Sequence, residues 1–114
     1  MDQLKIVNLE QGKPAVPDAL RHLQMELRLT RGTRIKALKL IHGFGSSGRG
    51  GKLRPEVRRF LDAQRGRGYL KFYIPGEKLS IFHEDTRRAL DLCPALRNDP
   101  DLERHNNGIT IVIL

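Results

Sequence analysis

Five glycines, a histidine and two cations share the eleven-residue run His42-Gly43-Phe44-Gly45-Ser46-Ser47-Gly48-Arg49-Gly50-Gly51-Lys52. Glycine lacks the Cβ that would hold a phosphate away. It also permits the positive φ angles that turn successive N–H groups inward as a nest. An apolar stretch precedes the run and a helical pattern follows it, so its amides fall at a helix N-terminus. Such a terminus carries about half a positive charge and unsatisfied donors, and it binds anions. Arg49, Lys52 and Arg54 bring side-chain charge to the same place, with Arg58 one turn further on. The predicted chemistry is anion binding. His42 stands where the strand hands over to the turn. Its type allows two roles, donating to a phosphate or moving a proton, or else satisfying a loop carbonyl.

Three more specific motifs fail on spacing. Gly43 to Gly48 fits the dinucleotide fingerprint G-x-G-x-x-G, but it follows the second strand and has no acidic residue on the next one. The chain is also too short for a doubly wound nucleotide fold, so no nucleotide cofactor is expected. A phosphate loop ending in Gly51-Lys52 would need glycine at Ser46 and a hydroxyl at Leu53. His22, His42, His83 and His105 lack metal-ligand spacing, and the single Cys93 excludes an internal disulfide, so no metal site is expected. Cys93 reads as a small apolar residue beside a helix end.

Charge points the same way as the turn. The chain carries a net +8. From Arg31 to Lys71, twelve basic residues face two acidic ones (Glu56 and Asp62), while the rest of the chain is slightly acidic. Clustering of this kind is the footprint of a polyanion-binding surface rather than of general solubility. Base readout is not evident, and Tyr69 and Tyr73 are the nearest stacking candidates. No apolar run is long enough to span a bilayer and no signal-peptide core opens the chain. The expected compartment is the cytoplasm, with no membrane partner.

The elements that must position the turn follow from periodicity. Lys5 to Leu9 reads as a first strand. Pro14 and Pro17 open a helix whose stripe is Val16, Leu20, Leu23 and Leu27, ended by Gly32. Ile35 to Ile41 reads as a mostly buried strand with its lysines at the rims. A helix over 52–64 places Leu53, Val57, Phe60 and Leu61 on one face, with Pro55 in its first turn. Tyr69 to Ile74 alternates as a strand. Ser80 or Asp85 is expected to cap a helix carrying Phe82, Ala89, Leu90 and Cys93, stopped before Pro94. Ile109 to Leu114 is a final strand after the Asn-Asn-Gly turn. The expected fold is a single α/β domain over residues 1–114. It is a two-layer sandwich with a mixed four-stranded sheet, helices on one face, and a helical insert (75–107) before the last strand.

The residues resemble those of the small MutS-related (Smr) domain. Ile41-His42-Gly43-Phe44-Gly45 is similar to its hallmark, a hydrophobic residue followed by HGxG at a strand end. The likeness continues through the glycines into Leu53-Arg54-Pro55, and Asn107 to Leu114 resembles the closing strand. The resemblance covers most of the chain. It implies a βαβαββ sandwich that binds DNA or RNA, with some members nicking nucleic acid. Carried over, His42, Gly43 and Gly45 form the site, flanked by Phe44, with Arg49, Lys52, Arg54 and Arg58 near the phosphates. Two features depart from the pattern. The first motif, LDxHG, is replaced by Val7-Asn8-Leu9-Glu10-Gln11-Gly12, so Asn8 stands for the aspartate and Glu10 for the histidine. A carboxylate there repels phosphate unless a metal intervenes. The stretch from Glu77 to His105 is longer than a plain Smr domain has, and is expected to cover a sheet edge or to engage a protein partner.

Three functions are consistent with these residues. The first is a nucleic-acid-binding domain contacting DNA or RNA phosphates through the turn, without cofactor. The second is a nuclease using His42 and Glu10 as catalytic residues, with a divalent metal entering only in that case. The third is an adaptor whose turn takes a partner's acidic segment.

Overall fold

A computed structural model describes residues 3–43 and 49–114, with the side chains of 49–51 outside the description. Its elements are β1 (Leu4–Asn8), α1 (Val16–Thr30), β2 (Ala37–Ile41), α2 (Arg49–Gly66), β3 (Phe72–Pro75), α3 (Glu84–Leu92) and β4 (Ile109–Ile113). Short 3-10 turns at Gly76–Lys78 and Pro94–Asn98 flank α3. The strands form one mixed sheet in the order β1-β2-β4-β3. β1 and β2 are parallel, joined by the α1 crossover, while β4 runs antiparallel to both β2 and β3.

Strand alternation sorts the apolar residues into two cores. Leu38 and Leu40 of β2, Val7 of β1 and Val112 of β4 face α1 and α2. Ala37 of β2, Phe72 and Ile74 of β3, and Ile109, Ile111 and Ile113 of β4 face α3 and the turns around it. Every residue of β4 is buried, as a central strand covered on both faces demands. The expectation of helices on one face therefore holds only for α1 and α2. The insert covers the opposite face rather than an edge, because that second set of branched side chains needs a partner of its own.

The helices form much where periodicity places them. α1 buries Ala19, Leu23 and Leu27, with Pro17 and Asp18 in its first turn. α2 starts earlier than expected, at Arg49, so Pro55 lies inside the helix rather than in its first turn. Its inward stripe is Leu53, Val57, Leu61 and, unusually, Gln64. β3 is shorter than expected and begins at Phe72. Pro75 sits on it harmlessly because β3 is an edge strand. α3 starts at Glu84 with neither Ser80 nor Asp85 as cap, and Phe82 stays outside it, 85% exposed. Cys93 is buried at the helix end, where burial pushes its thiol up.

Lys39 is the largest departure. The mid-strand lysine was expected at a rim, but it is 4% exposed in the second core. Its Nζ donates to both Asp99 oxygens at 2.9 and 3.1 Å and lies 2.6 Å from Asp101 Oδ2. Burial alone drags the ammonium pKa down, but the hydrogen bonds it donates to its two carboxylate partners outweigh that and raise it above 10.5. Burial likewise pushes Asp101 up, and the bonds from Lys39 and Asn106 hold it below its usual value.

The triad therefore stabilises the fold between acid and strong alkali. Its contribution is lost as pH falls through the depressed Asp101 value or rises through the raised Lys39 value. Lys39→Ala, which strands two carboxylates, is expected to cost about 3–5 kcal/mol near neutral pH. The gap from wild type should shrink in urea melts near pH 3, where the stranded carboxylates take up protons.

Candidate functional site

β2 ends at Ile41, and the next two residues bind the end of β4. The backbone N–H groups of His42 and Gly43 both donate to Gly108 O at 3.0 Å. Gly43 has φ +71, which admits glycine readily and other residues only under strain. A Cβ there would also run into the Glu10 carboxylate, so Glu10 lies directly over Gly43. Glu10 reaches this point from the turn after β1. There its N–H donates to Asn8 Oδ1 at 3.1 Å, and the Lys13 N–H donates to Glu10 O at 2.9 Å. Asn8 thus shapes the turn, a task for a short polar side chain.

These pieces frame an open groove of about 1080 Å³. Glu10, Lys13, Val16, Gly43, Lys52 and Asn106 are on its walls. The N-terminal ends of α1 and α2 both border it, at Val16 and Lys52. Among the described residues, neither the exposed Lys52 nor the half-buried Arg54 makes a close ion pair, though the Arg54 charge acts on Glu77. Phe44 and Gly45, expected in the site, lie outside the described residues, as does the Arg49 side chain.

His42 borders the groove, yet its side chain is fully buried, beneath α2. Nδ1 is 2.8 Å from Gly43 O, and Nε2 is 2.8 Å from Thr110 Oγ1. A carbonyl only accepts, so Nδ1 carries the proton and Nε2 accepts from the threonine hydroxyl. Thr110 Oγ1 in turn accepts from Arg58 Nε at 3.4 Å, and Arg58 forks onto Glu77 at 3.0 and 2.8 Å. Burial lowers the His42 pKa, the bond to Gly43 O opposes it, and the charges of Arg58 and Arg54 lower it further. Burial pushes the Glu77 carboxyl up, but the Arg58 bonds prevail and hold it below its usual value.

The structure brings Glu10, His42, Gly43 and Lys52 to one groove. It engages Arg58 with Glu77, turning that guanidinium away from any free role. Sequence reasoning missed Thr110, Glu77 and Asn106. Thr110 left a signal, the one hydroxyl within an otherwise aliphatic strand, Ile109 to Ile113. Glu77 left none, since its partner is nineteen residues away. Of the two tyrosines, Tyr73 is spent on Asp62, to whose Oδ1 it donates at 2.8 Å. Burial, with that carboxylate, pushes Tyr73 up to about 12. Tyr69 stays 44% exposed.

Among the described residues, no cluster of three or more His, Cys, Asp or Glu is placed to hold a metal ion. No described helix is long and apolar enough to cross a membrane. No family model, curated protein or solved structure matches the chain.

His42 should therefore titrate below the ordinary 6.5. The unfolded chain takes up that proton first, so this residue's contribution to stability is full above pH 6.5 and declines as pH falls below it. Imidazole ¹⁵N shifts at pH 7 should show a neutral ring protonated on Nδ1. An imidazolium, or protonation on Nε2, would mean the buried network is wrongly drawn.

Proposed function

We propose that the chain is a nucleic-acid-binding domain of Smr-like type, a βαβαββ sandwich extended by its insert, that holds backbone phosphate in the groove beside the HGxG turn. The observation that carries this is the meeting of two helix N-termini and Lys52 at one groove, directly where the glycine-rich turn departs. Each terminus supplies partial positive charge and Lys52 a whole one. Arg54 stands close enough to depress the His42 titration, which places its charge at the same end of α2. Contacts of this sort are to the backbone, so binding should tolerate any base sequence.

In this scheme His42 is a strut. Its ring fixes the Gly43 carbonyl and so aims the turn, and with both nitrogens engaged it has no free position for proton transfer. Strand cleavage through His42 and Glu10 is therefore disfavoured relative to binding. Glu10 acts against the ligand as a fixed negative charge over Gly43.

Titrating a labelled mixed-sequence oligonucleotide at several salt concentrations tests the proposal. Log affinity should fall linearly with log salt, and Lys52→Gln or Arg54→Gln should each reduce the slope by about 1. Glu10→Gln should tighten binding, most at low salt. Affinity indifferent to salt would overturn the proposal, and polyglutamate displacing the oligonucleotide at comparable concentration would move the function to an acidic protein partner.

A further inference from the structure

The far ends of α1 and α2 enclose a second cleft, separate from the groove in every lining residue. Helix geometry puts Gln64 about 18 Å along α2 from Lys52. The cleft holds about 150 Å³, against the roughly 300–1,000 Å³ of a site for a drug-sized ligand. That is room for a single planar ring system.

Its lining is unusual in three ways. Gln64 occupies the next inward position of the α2 stripe after Leu61, where an apolar residue belongs, and is 8% exposed. Its carboxamide has no hydrogen-bond partner among the described residues, while no fully enclosed polar atom there lacks one. The carboxamide must therefore look into the cleft. Secondly, the Arg31 guanidinium lies 4.4 Å from the centroid of the Tyr69 ring, giving a cationic aromatic wall. Thirdly, Arg28, Arg31 and Arg67 all line the cleft, and none meets a carboxylate among the described residues.

The backbone holds this arrangement rigidly. Tyr69 N–H donates to Gln64 O at 3.0 Å and Gly68 N–H to Arg65 O at 2.9 Å, with Gly68 at φ +79. That is the Schellman ending, which packs the residue after the glycine against the one five before it, normally through an apolar contact. Here the two residues are Tyr69 and Gln64. A position that usually seals a helix end instead presents a ring and an amide.

We propose that this cleft is a pocket for one unstacked nucleobase. The Arg31–Tyr69 pair offers its π surface, Gln64 and Gln24 read the base edge, and Arg28 and Arg67 hold the flanking phosphates. Aromatic rings, guanidinium planes and carboxamides are the groups that take splayed-out bases. The pocket rests on the nucleic-acid reading above and adds to it the substrate class, a single-stranded segment. At 3.4 Å per stacked nucleotide, about five nucleotides reach from pocket to groove.

The test has two arms. In the first, wild-type protein is titrated by NMR with nucleoside 5′-monophosphates and, separately, with inorganic phosphate. The nucleotides should shift the Gln64 carboxamide protons and move the Tyr69 ring protons upfield together, and phosphate should do neither. Equal shifts with phosphate would reduce the cleft to an anion site, and silence at both residues would end the proposal. In the second arm, Gln64→Leu, which keeps the bulk, and Tyr69→Leu, which keeps an apolar side chain but removes the ring, are compared with Lys52→Gln/Arg54→Gln on single-stranded and fully paired oligonucleotides. The pocket variants should weaken single-strand binding roughly five- to hundredfold and leave duplex binding within about twofold. Equal loss on both substrates overturns the pocket. Loss from the pocket variants with none from Lys52→Gln/Arg54→Gln leaves the pocket standing and removes the groove.

Discussion

A lysine held among two aspartates inside the second core is the constraint from which the site hangs. Lys39 sits on β2, while Asp99 and Asp101 arrive some sixty residues later. An unpaired charge at that depth is very costly, so the insert can cover this face only with Asp99 and Asp101 set on Lys39. The geometry then propagates. Asp101 Oδ1 accepts from Asn106 Nδ2, Asn106 Oδ1 accepts from the Gly108 N–H, and Gly108 O receives the amides of His42 and Gly43. The ion triad on one face of the sheet thereby sets the strand ends that open the groove.

On the other face, a second polar chain does similar work. Glu77, Arg58, Thr110, His42 and Gly43 O form an unbroken series from the insert, through α2 and β4, to the start of the turn. Each member is satisfied by the next, which is why a histidine and a threonine are tolerated in an apolar layer. The same satisfaction makes His42 a poor proton carrier. In the proposed reading, a residue type associated with catalysis serves position.

Both proposed contacts belong to the helical layer, and they differ in kind. At the groove, backbone dipoles and Lys52 meet charge without reading it. At the opposite end of α2, a ring and two carboxamides can tell a base from a phosphate. Glu10, set over Gly43, tempers the first end. A ligand that engages both ends is held by charge at one and by stacking at the other, and only an unpaired strand supplies free bases for the second.

Much of this was legible in one dimension. The 3.6-residue stripe Leu53, Val57, Leu61 and the run Ile109 to Ile113 depend on local periodicity, so α2 and β4 were placed by sequence alone. Glycine at 43 and cations at 52 and 54 likewise pointed to the anion-binding turn proposed above, since those residue types have few other uses together. What the sequence by itself determined was the order of elements and the chemical character of the turn. Tertiary structure decided the rest. It buried Lys39, gave Arg58 to Glu77, and closed both His42 nitrogens. It also left Gln64 and Tyr69 facing each other across a helix end. Each of these depends on a partner distant in the chain or on a local cap geometry. Periodicity reports which face a residue occupies, but not which charge or ring the fold sets opposite it.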